Sequence, residues 1–541
     1  MLRETIQQGH PAVRPTVADA AGGARLRRLL DRPALLLALL LAGALGFYLT
    51  TTLHHDVSWY LVATARMLDG ARLYEDIIEV NPPLAFYLTV PPIVVARLIG
   101  ITSEAAFIGY VFALIAGSLM LVHRVLGLPA AAGWRWRTTF AAAAALTIAP
   151  IDVFGQREHL MLILALPYFF LVAARLGGSA SSPRLALLIG TLAGIGFALK
   201  PYFLLAPVAL ELTVILHRRS PFAVSRVETW SIAAVTAAYV AFVAAVHPQY
   251  LNFIAPSAML VYEAYASPLR LVVMQPMVFV IGAIVLLHLA ARAGGATDRL
   301  ADAFGAATIG FLAAYAVQSK GWHYQLLPAA ATGALAAAAL AAQWTSDPQA
   351  MAAQRRRLVS AIASGVLAVL VLLLTANGAY RNQVEAALLP EVEKYAPHGT
   401  IYAFTGSITV GFPLVNATGD RWASRFPAQW LLPGALRRLH GTESLPPDTV
   451  RQLQEIERYV VDAVVEDLER TPPDVVIVEK HDPYFADPDF AFLDYFGQDR
   501  RFAELWRAYA KADDIDLRVA GRSWQFEIWC RRGSAHDCGA I

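Results

Sequence analysis

Long stretches with at most one charged residue dominate the first two thirds of the chain. Eleven of them are counted as membrane spans, and the first, 34–53, is long enough to cross about 30 Å of hydrocarbon as a helix. Of the 541 residues 57% are hydrophobic and only 16% are charged, whereas about 25% of the residues of a soluble protein are charged. The pattern predicts an α-helical polytopic membrane protein. The eleven predicted spans are 34–53, 105–122, 138–151, 160–174, 185–199, 201–216, 229–246, 271–291, 303–319, 324–346 and 358–380.

A twelfth apolar stretch, 82–96, decides the predicted topology. It begins with Pro82-Pro83 and contains Pro91-Pro92, and if it crosses the membrane the basic loops fall on both sides. If it lies along the outer surface, 19 of the 44 Lys and Arg fall on one side and only seven in the opposite short loops. The positive-inside rule favours this second arrangement, with eleven spans. The cytoplasmic segments are then 1–33, 124–137, 175–184, 217–228, 292–302 and 344–357.

The composition divides the chain into three parts. Residues 1–33 carry six arginines and are predicted to be a basic cytoplasmic segment. Residues 34–380 form the predicted transmembrane catalytic domain, whose first outer loop is 54–103. From 381 to 541 the composition is that of a soluble protein, with 18 Lys and Arg in 161 residues. An odd number of spans places this part outside the cytoplasm.

Short apolar runs in residues 381–541 predict a small α/β domain. We expect strands at 400–404, 474–478 and 523–529, and helices at 448–470 and 503–508. Both cysteines of the chain, Cys530 and Cys538, lie in its last twelve residues. They are expected to form a disulfide if this end is extracytoplasmic.

With eleven spans, the isolated polar clusters of the apolar region all fall on the outer face. Chance would scatter such clusters over both sides, so one outward-facing polar cavity is predicted. The clusters are 56–81, Asp152 with 156–159, Lys200, 247–270 and 318–324.

Asp56 follows the first span and is the first candidate for chemistry. A carboxylate there could take a proton from a hydroxyl that attacks an electrophilic carbon. The alternative is a helix cap or a partner for an arginine. Glu158 is a second acid beside Arg157, a cation suited to holding a phosphate or to orienting the base. Lys200 and Lys320 each follow an uncharged run, where snorkelling to the interface is the alternative.

The first polar stretch resembles the first outer loop of the GT-C glycosyltransferases. The resemblance rests on Asp56, on MLDGARLYED at 67–76 and on EVNPPL at 79–84, which leads to Gly100. It is closest to bacterial relatives of protein O-mannosyltransferases and of the lipid A aminoarabinose transferase. The resemblance implies that Asp56 is the catalytic base, that the Pro-Pro segment is a juxtamembrane helix, and that the donor is a polyprenyl-phosphate sugar.

The same resemblance implies an inverting single displacement. Glu158 matches the second outer-loop acid, with Asp152 as the weaker alternative, and both Asp56 and Glu158 are assigned as catalytic. The donor phosphate is assigned to Arg157, Lys200, Lys320 and His323. Substrate binding is assigned to Tyr60, Glu79, Asn81, Gln156 and Tyr324. Glu79 and Glu158 are the alternative candidates for a divalent-cation site, because hard oxygen ligands suit such an ion; no other cofactor is expected.

The predicted function is sugar transfer to a hydroxyl of a glycan, lipid or protein. The expected location is a bacterial inner membrane, with the active site and the C-terminal domain extracytoplasmic. A net charge of +2 and the lack of basic runs with interleaved aromatic residues exclude a nucleic-acid partner. The alternative is a transporter or flippase of a lipid-linked sugar, but internal repeats, typical of transporters, are not visible. A scaffold for partner proteins is a third hypothesis, which leaves the membrane-level carboxylates unexplained.

Three further features carry no assigned function. The adjacent His54 and His55 are expected to point apart on a helix. Glu211, inside a predicted span, is expected either to have a buried partner or to be functional. Asn416-Ala417-Thr418 matches an N-glycosylation triplet.

Overall fold

The structure is a computed structural model that describes residues 32–127, 132–294, 298–342, 351–442, 444–519 and 522–533. Nearly all of the predicted basic N-terminal segment lies outside the described residues. Cys530 is buried and disulfide-bonded. Cys538, the chain's other cysteine, lies outside the described residues.

The first part of the chain is built of helices. Each of the eleven predicted spans overlaps one of them. They are α1 Pro33–Tyr48, α2 His55–Leu68, α3 Leu84–Ile99, α4 Ser103–Leu126, α5 Ala132–Thr147, α6 Arg157–Leu176, α7 Pro183–Ala198, α8 Leu205–Arg218, α9 Val227–Val246, α10 Ala255–Val261, α11 Leu269–Val273, α12 Pro276–Ala293, α13 Arg299–Gln318, α14 Leu327–Ala342 and α15 Met351–Thr375. Short 3-10 helices lie at Pro201–Leu204, Pro221–Val224, Tyr262–Tyr265 and His323–Leu326, and one π-helical turn at Tyr250–Ile254.

Eight helices in the described residues are long and apolar enough to cross a membrane. Three more apolar helices, α1, α3 and α7, have 16 residues each, which corresponds to about 24 Å. The predicted multi-pass helical architecture is confirmed. The number of eleven spans, and the placement of α3 along the outer surface, stay predictions.

Helix α6 is the innermost helix, buried along nearly its whole length. Its aromatic residues Phe169 and Phe170 contact Phe304 edge-on, and Phe169 also contacts Phe311 on the same helix, α13. Aromatic edge-to-face packing of this kind stabilises a core beyond the area that it buries. The helix starts at Arg157, and its first turn with the preceding N-cap residue carries three of the predicted site residues, Gln156, Arg157 and Glu158.

Glu211 has a buried partner, which decides between the two alternatives left by the sequence. Both of its carboxylate oxygens accept hydrogen bonds from Arg226 Nη2, at 2.6 and 2.7 Å. Glu228, fully buried on α9, is paired in turn with Arg175 at 3.0 Å and with Arg226 at 3.1 Å. A chain of alternating charges therefore joins the C-terminal end of α6 to α8 and α9.

The C-terminal part contains a five-stranded sheet, and the predicted small α/β architecture is confirmed. Strands β1, β2 and β3 are parallel, β4 and β5 are antiparallel, and the order is β2-β1-β3-β5-β4. The strands are β1 Thr400–Phe404, β2 Arg421–Trp422, β3 Val475–Glu479, β4 Tyr509–Val519 and β5 Arg522–Arg531. The helices are α16 Gln383–Tyr395, α17 Leu414–Thr418, α18 Leu432–Leu439, α19 Pro447–Arg470, α20 Phe492–Phe496 and α21 Arg500–Trp506.

Helices and loops of the C-terminal part contact α2, α4 and the first polar loop of the membrane part. Arg66 Nη1 donates to the carbonyl of Ser424 at 2.7 Å, and Arg470 pairs with Asp76 at 3.0 Å. The side-chain amide of Asn416 donates to Ser58 O at 3.2 Å and to Glu104 at 3.0 Å, so the amide of the predicted glycosylation triplet is engaged in this contact. The contact turns the carboxyl ends of β1 and β3 toward the membrane helices.

Candidate active site

One cavity of about 850 Å³ lies between the membrane helices and the carboxyl ends of β1 and β3. Ligands of sheets with parallel strands commonly bind outside the carboxyl ends of those strands. The structure brings nine of the eleven predicted site residues to its wall. These are Asp56, Tyr60, Glu79, Asn81, Arg157, Lys200, Lys320, His323 and Tyr324. Glu158 and Gln156 do not line it.

Asp56 lies in the first turn of α2, where a helix N-terminus favours a negative charge. His54 caps this helix, because its Nδ1 accepts a hydrogen bond from the Asp56 backbone N–H at 3.3 Å. The Asp56 side chain is 18% exposed, and its Oδ2 lies 3.8 Å from Arg157 Nη2. Asp56 therefore lines the cavity and has one cation beside it.

His55 lies on the other side of the Asp56 carboxylate. Its Nε2 is 3.6 Å from Asp56 Oδ1, and its Nδ1 is 2.9 Å from the hydroxyl of Tyr380. Burial lowers the pKa of both His54 and His55, so both rings are neutral near pH 7. The expectation that the two rings point apart is wrong: their centroids are 3.7 Å apart, because His54 precedes the helix in an extended conformation.

Arg157 is the buried cation of the cavity, with 5% of its side chain exposed. Its guanidinium lies over the Tyr60 ring, with Cζ 5.6 Å from the centroid. Within the described part of the chain, its Nε and Nη1 have no hydrogen-bond partner. Buried donors without partners are costly, and a planar guanidinium suits a phosphate or carboxylate. Arg157 is therefore built to receive an anion.

Lys200 and Glu158 form a buried ion pair in which Lys200 Nζ lies 2.5 Å from Glu158 Oε1. Lys200 is on the cavity wall, while the fully buried Glu158 lies behind it. Glu158 thus contacts a cation, and the structure does not bring it to the space that Asp56 faces. Burial lowers the pKa of Lys200 to about 8. Gln156 is also behind the wall, where its Nε2 donates to His54 Nδ1 at 2.5 Å.

Lys320 reaches the cavity from the turn after α13. Its Nζ donates to the carbonyl of Tyr262 at 2.5 Å and lies 4.3 Å from the centroid of that ring. Burial lowers the pKa of Lys320 to about 8. His323 lies further out, with 61% of its side chain exposed and its Nε2 3.1 Å from Asp152 Oδ2. Asp152 is thereby a partner of His323 at the rim.

Glu79 fixes the wall of the cavity next to Asp56. Its oxygens accept hydrogen bonds from Trp59 Nε1 at 2.8 Å and from the backbone and side chain of Asn81 at 3.0 and 2.5 Å. Burial raises the pKa of Glu79. Because both oxygens are engaged, Glu79 orders the loop that leads into α3.

Glu79 and Glu158 do not form a cluster of metal-ligating groups with a third residue in the described chain. One group of three such side chains there has its ligand atoms within 4.8 Å of one another, namely His54, His55 and Asp56. The Nδ1 atoms of both histidines are already hydrogen-bonded, to Gln156 and to Tyr380. Their ring nitrogens thus serve the hydrogen-bond network around Asp56, and a divalent cation stays a prediction.

An aromatic surface on the cavity wall was not predicted from the sequence. Tyr262 contacts Trp430 edge-on at 6.1 Å, and Tyr265 contacts Tyr484 at 4.4 Å. All four residues line the cavity, and the Tyr262 ring also contacts Lys320. Trp430 and Tyr484 come from the sheet-containing part, and no local pattern links them to residues more than 150 positions earlier.

Comparisons with known proteins give low similarity over most of the chain. The chain is similar to ArnT from Cupriavidus metallidurans, solved with undecaprenyl phosphate, at 12% identity and a TM-score of 0.48, over 91% of this chain and 97% of that one. It is similar to the mycobacterial arabinofuranosyltransferase AftD at 15% identity and a TM-score of 0.40, over 93% of this chain and 40% of that one. It is similar to the oligosaccharyltransferase AglB from Archaeoglobus fulgidus, solved with an inhibitory peptide and a dolichol-phosphate. The identity is 12% and the TM-score 0.39, over 90% of this chain and 71% of that one. No protein-family model and no curated protein matches. These three TM-scores are all below 0.5, so function has to be argued from the cavity itself.

Proposed function

We propose that the chain is a membrane glycosyltransferase that moves a sugar from a polyprenyl-phosphate donor to a hydroxyl acceptor. The observation that carries the proposal is the pairing of Asp56 with Arg157, at 3.8 Å, on the wall of a cavity that also receives Lys200 and Lys320. One carboxylate beside several cations suits a reaction that removes a proton and releases an anion. A polyprenyl carrier supplies that anion at the level of the membrane.

The proposed reaction is a single displacement with Asp56 as general base. Asp56 takes the proton of the acceptor hydroxyl while its oxygen forms a bond to the anomeric carbon. The bond from that carbon to the phosphate oxygen breaks, and its electron pair leaves with polyprenyl phosphate. The configuration at the sugar is inverted. Base catalysis of this kind contributes about 10²–10⁴ in rate.

The cations stabilise the departing phosphate. Arg157 offers two buried donors that have no partner among the described residues, and Lys200 and Lys320 add ammonium groups on the cavity wall. Preorganised cations aimed at developing charge lower the barrier without reorganising during the reaction. Because phosphate is already a good leaving group, a second acid is not required, which agrees with the position of Glu158 behind Lys200. His323 lies at the exposed rim, where we propose that it contacts the donor as the donor enters the cavity.

The residues predicted to bind substrate are proposed to hold the cations and the first outer loop in place. Tyr60 lies under Arg157, and Tyr324 lies 5.2 Å from Lys200 Nζ, so each ring holds a cation in place. Asn81 and Glu79 order the loop at the entrance to α3. Gln156 acts through His54 behind the wall.

We place the cavity on the extracytoplasmic side of a bacterial inner membrane. The charge distribution supports this, because the basic loops lie at the opposite ends of the helices. The sheet-containing part, 381–541, is then also extracytoplasmic and covers the cavity. The acceptor is a glycan, a lipid or a protein that reaches the cavity from that side.

In vitro transfer from a panel of polyprenyl-phosphate sugars tests the proposal. We expect Asp56→Asn to lower kcat by about 10²–10⁴. Asp69→Asn is the matched control, because Asp69 ends the same helix, pairs with Arg97 in solvent and does not line the cavity. Transfer by Asp56→Asn at the wild-type rate would remove the base role. Movement of the donor lipid across vesicles without a glycosylated product would favour the flippase instead.

A further inference from the structure

We propose that His55 and Tyr380 are a positioning pair that fixes the orientation of the Asp56 carboxylate. The inference rests on the proposed function in one respect, namely that Asp56 is the base. It assigns a role to two residues that take no part in the proposed proton transfer or in the release of the phosphate. Neither side chain is assigned a contact with substrate, and each acts through Asp56.

The geometry forms a three-membered chain. The Tyr380 hydroxyl lies 2.9 Å from His55 Nδ1, and His55 Nε2 lies 3.6 Å from Asp56 Oδ1. A neutral imidazole has one donor and one acceptor nitrogen. If Tyr380 donates to Nδ1, the proton of the ring is on Nε2 and faces the carboxylate. The other tautomer would turn a lone pair toward the negative oxygen of Asp56 and is disfavoured for that reason. A hydroxyl can donate or accept, and with the ring proton on Nε2 Tyr380 donates to Nδ1 and holds the ring in that tautomer.

The two oxygens of Asp56 face different groups. Oδ1 faces His55, while Oδ2 faces Arg157 at 3.8 Å. Both distances are longer than a hydrogen bond, so the two groups act on the carboxylate electrostatically and favour the orientation with one oxygen toward each of them. A base must offer its lone pair to the acceptor proton in a defined direction, and a misplacement of about 1 Å can cost 10²-fold in rate. Orientation by a third group is the usual arrangement around a catalytic base.

The rest of the surroundings holds the pair in place. The His54 ring is 2% exposed and lies against both partners, with centroids 3.7 Å from His55 and 4.7 Å from Tyr380. Two residues after Tyr380, Asn382 caps α16 and donates to the carbonyl of Thr409 at 2.7 Å. Thr409 belongs to the loop after β1 that lines the cavity. The segment around Tyr380 is therefore attached to the loop after β1, and Tyr380 itself contacts His55 beside Asp56.

Steady-state kinetics of four variants tests the pair, with kcat and the donor KM measured separately. We expect His55→Ala to lower kcat about 10- to 100-fold and Tyr380→Phe to lower it about five-fold, the worth of one ordinary hydrogen bond. The donor KM should not change, because the phosphate ligands are untouched. His55→Gln keeps an N–H near the position of Nε2 and should restore kcat to within about three-fold of wild type.

Tyr87→Phe is the matched control. Tyr87 bonds to His247 Nε2 at 2.9 Å, the same length as the bond of Tyr380 to His55, and neither Tyr87 nor His247 lines the cavity. This variant should keep the wild-type kcat. The positioning role is overturned if Tyr380→Phe also keeps it, or if His55→Gln is as slow as His55→Ala.

The ¹⁵N ring resonances of His55, assigned by their loss in His55→Gln, give a readout that needs no turnover. We expect the Nε2–H tautomer in the wild type and a mixture of tautomers in Tyr380→Phe. If no polyprenyl-phosphate sugar is transferred but this signature is found, the proposed function fails and the pair stands. A wild-type protein with the Nδ1–H tautomer overturns the pair, whether or not it transfers sugar.

Discussion

Lys200 Nζ lies 2.5 Å from Glu158 Oε1, and both side chains are buried. The pair joins the N-terminal turn of α6 to the turn after α7, so two separate predicted site residues have become one unit. Its net charge is zero. In the proposed reaction, loss of the Lys200 proton would leave this unit with the negative charge of Glu158, which would repel the donor phosphate.

Removal of Glu158 should destabilise the protein strongly. Glu158→Gln leaves Lys200 buried without its partner, and loss of one member of a buried pair costs about 3–5 kcal/mol. Lys200→Met combined with Glu158→Leu should recover most of that stability, because replacing both charges by apolar groups is close to neutral. Thermal unfolding in detergent measures both. A double variant that is no more stable than Glu158→Gln would show that the two residues do not act as a pair.

Donor binding should weaken with rising pH. Burial lowers the pKa of Lys200 and Lys320 to about 8. Below that pH both ammoniums are charged and attract the phosphate; above it they become neutral, so the donor KM should rise while the acceptor KM does not. Lys320→Arg keeps its charge at high pH and should reduce the rise in donor KM. Lys480 follows β3, pairs with Asp514 and does not line the cavity, so Lys480→Arg should leave that rise unchanged. A donor KM that stays constant to about pH 9 would contradict the low pKa values.

The charge chain at the C-terminal end of α6 should matter for stability alone. Glu228→Gln leaves Arg175 and Arg226 without their shared carboxylate, and we expect a loss of about 3–5 kcal/mol. The kcat of the folded fraction should not change, because none of these residues lines the cavity. Glu504→Gln, which breaks an exposed pair with Arg500, should cost less than about 1 kcal/mol. A loss of kcat in folded Glu228→Gln would contradict this separation.

Gly434 should tolerate no side chain. A Cβ at this position would lie 1.8 Å from the carbonyl oxygen of Val261, where α18 packs against α10. Helix α10 carries Met259 on the cavity wall. We expect Gly434→Ala to cost about 1–3 kcal/mol and to lower transfer by displacing that wall. Gly109→Ala, on a helix with no atom within 4 Å of the new Cβ, should be neutral in both assays.

The architecture was predictable because its signals are local. Uncharged runs gave each membrane helix, and the apolar runs at 400–404 and 474–478 matched β1 and β3 to within one residue. Strand β4 was missed. It carries Lys511, Asp513 and Asp514 at the edge of the sheet, and a charged edge strand lacks the hydrophobic pattern of a buried one.

The site was predictable in outline, since charge alone put Asp56, Lys200 and Lys320 on one face. What the sequence could not supply were directions. Glu158 and Arg157 are adjacent, yet one faces Lys200 and the other faces Asp56, because neighbours on a helix point about 100° apart. Tyr380 was invisible for another reason. Its partner His55 is 325 positions earlier, and no spacing rule reaches that far.

The bond between Tyr380 and His55 also sets an order of assembly. Asp56 and His55 are synthesised near the beginning of the chain, and the Tyr380 hydroxyl that contacts His55 follows only after the last long apolar helix, α15. A nascent protein thus carries an unaligned carboxylate throughout the insertion of its membrane helices. If Asp56 is the base, as proposed, a molecule whose synthesis stops before that point would lack the pair that orients it.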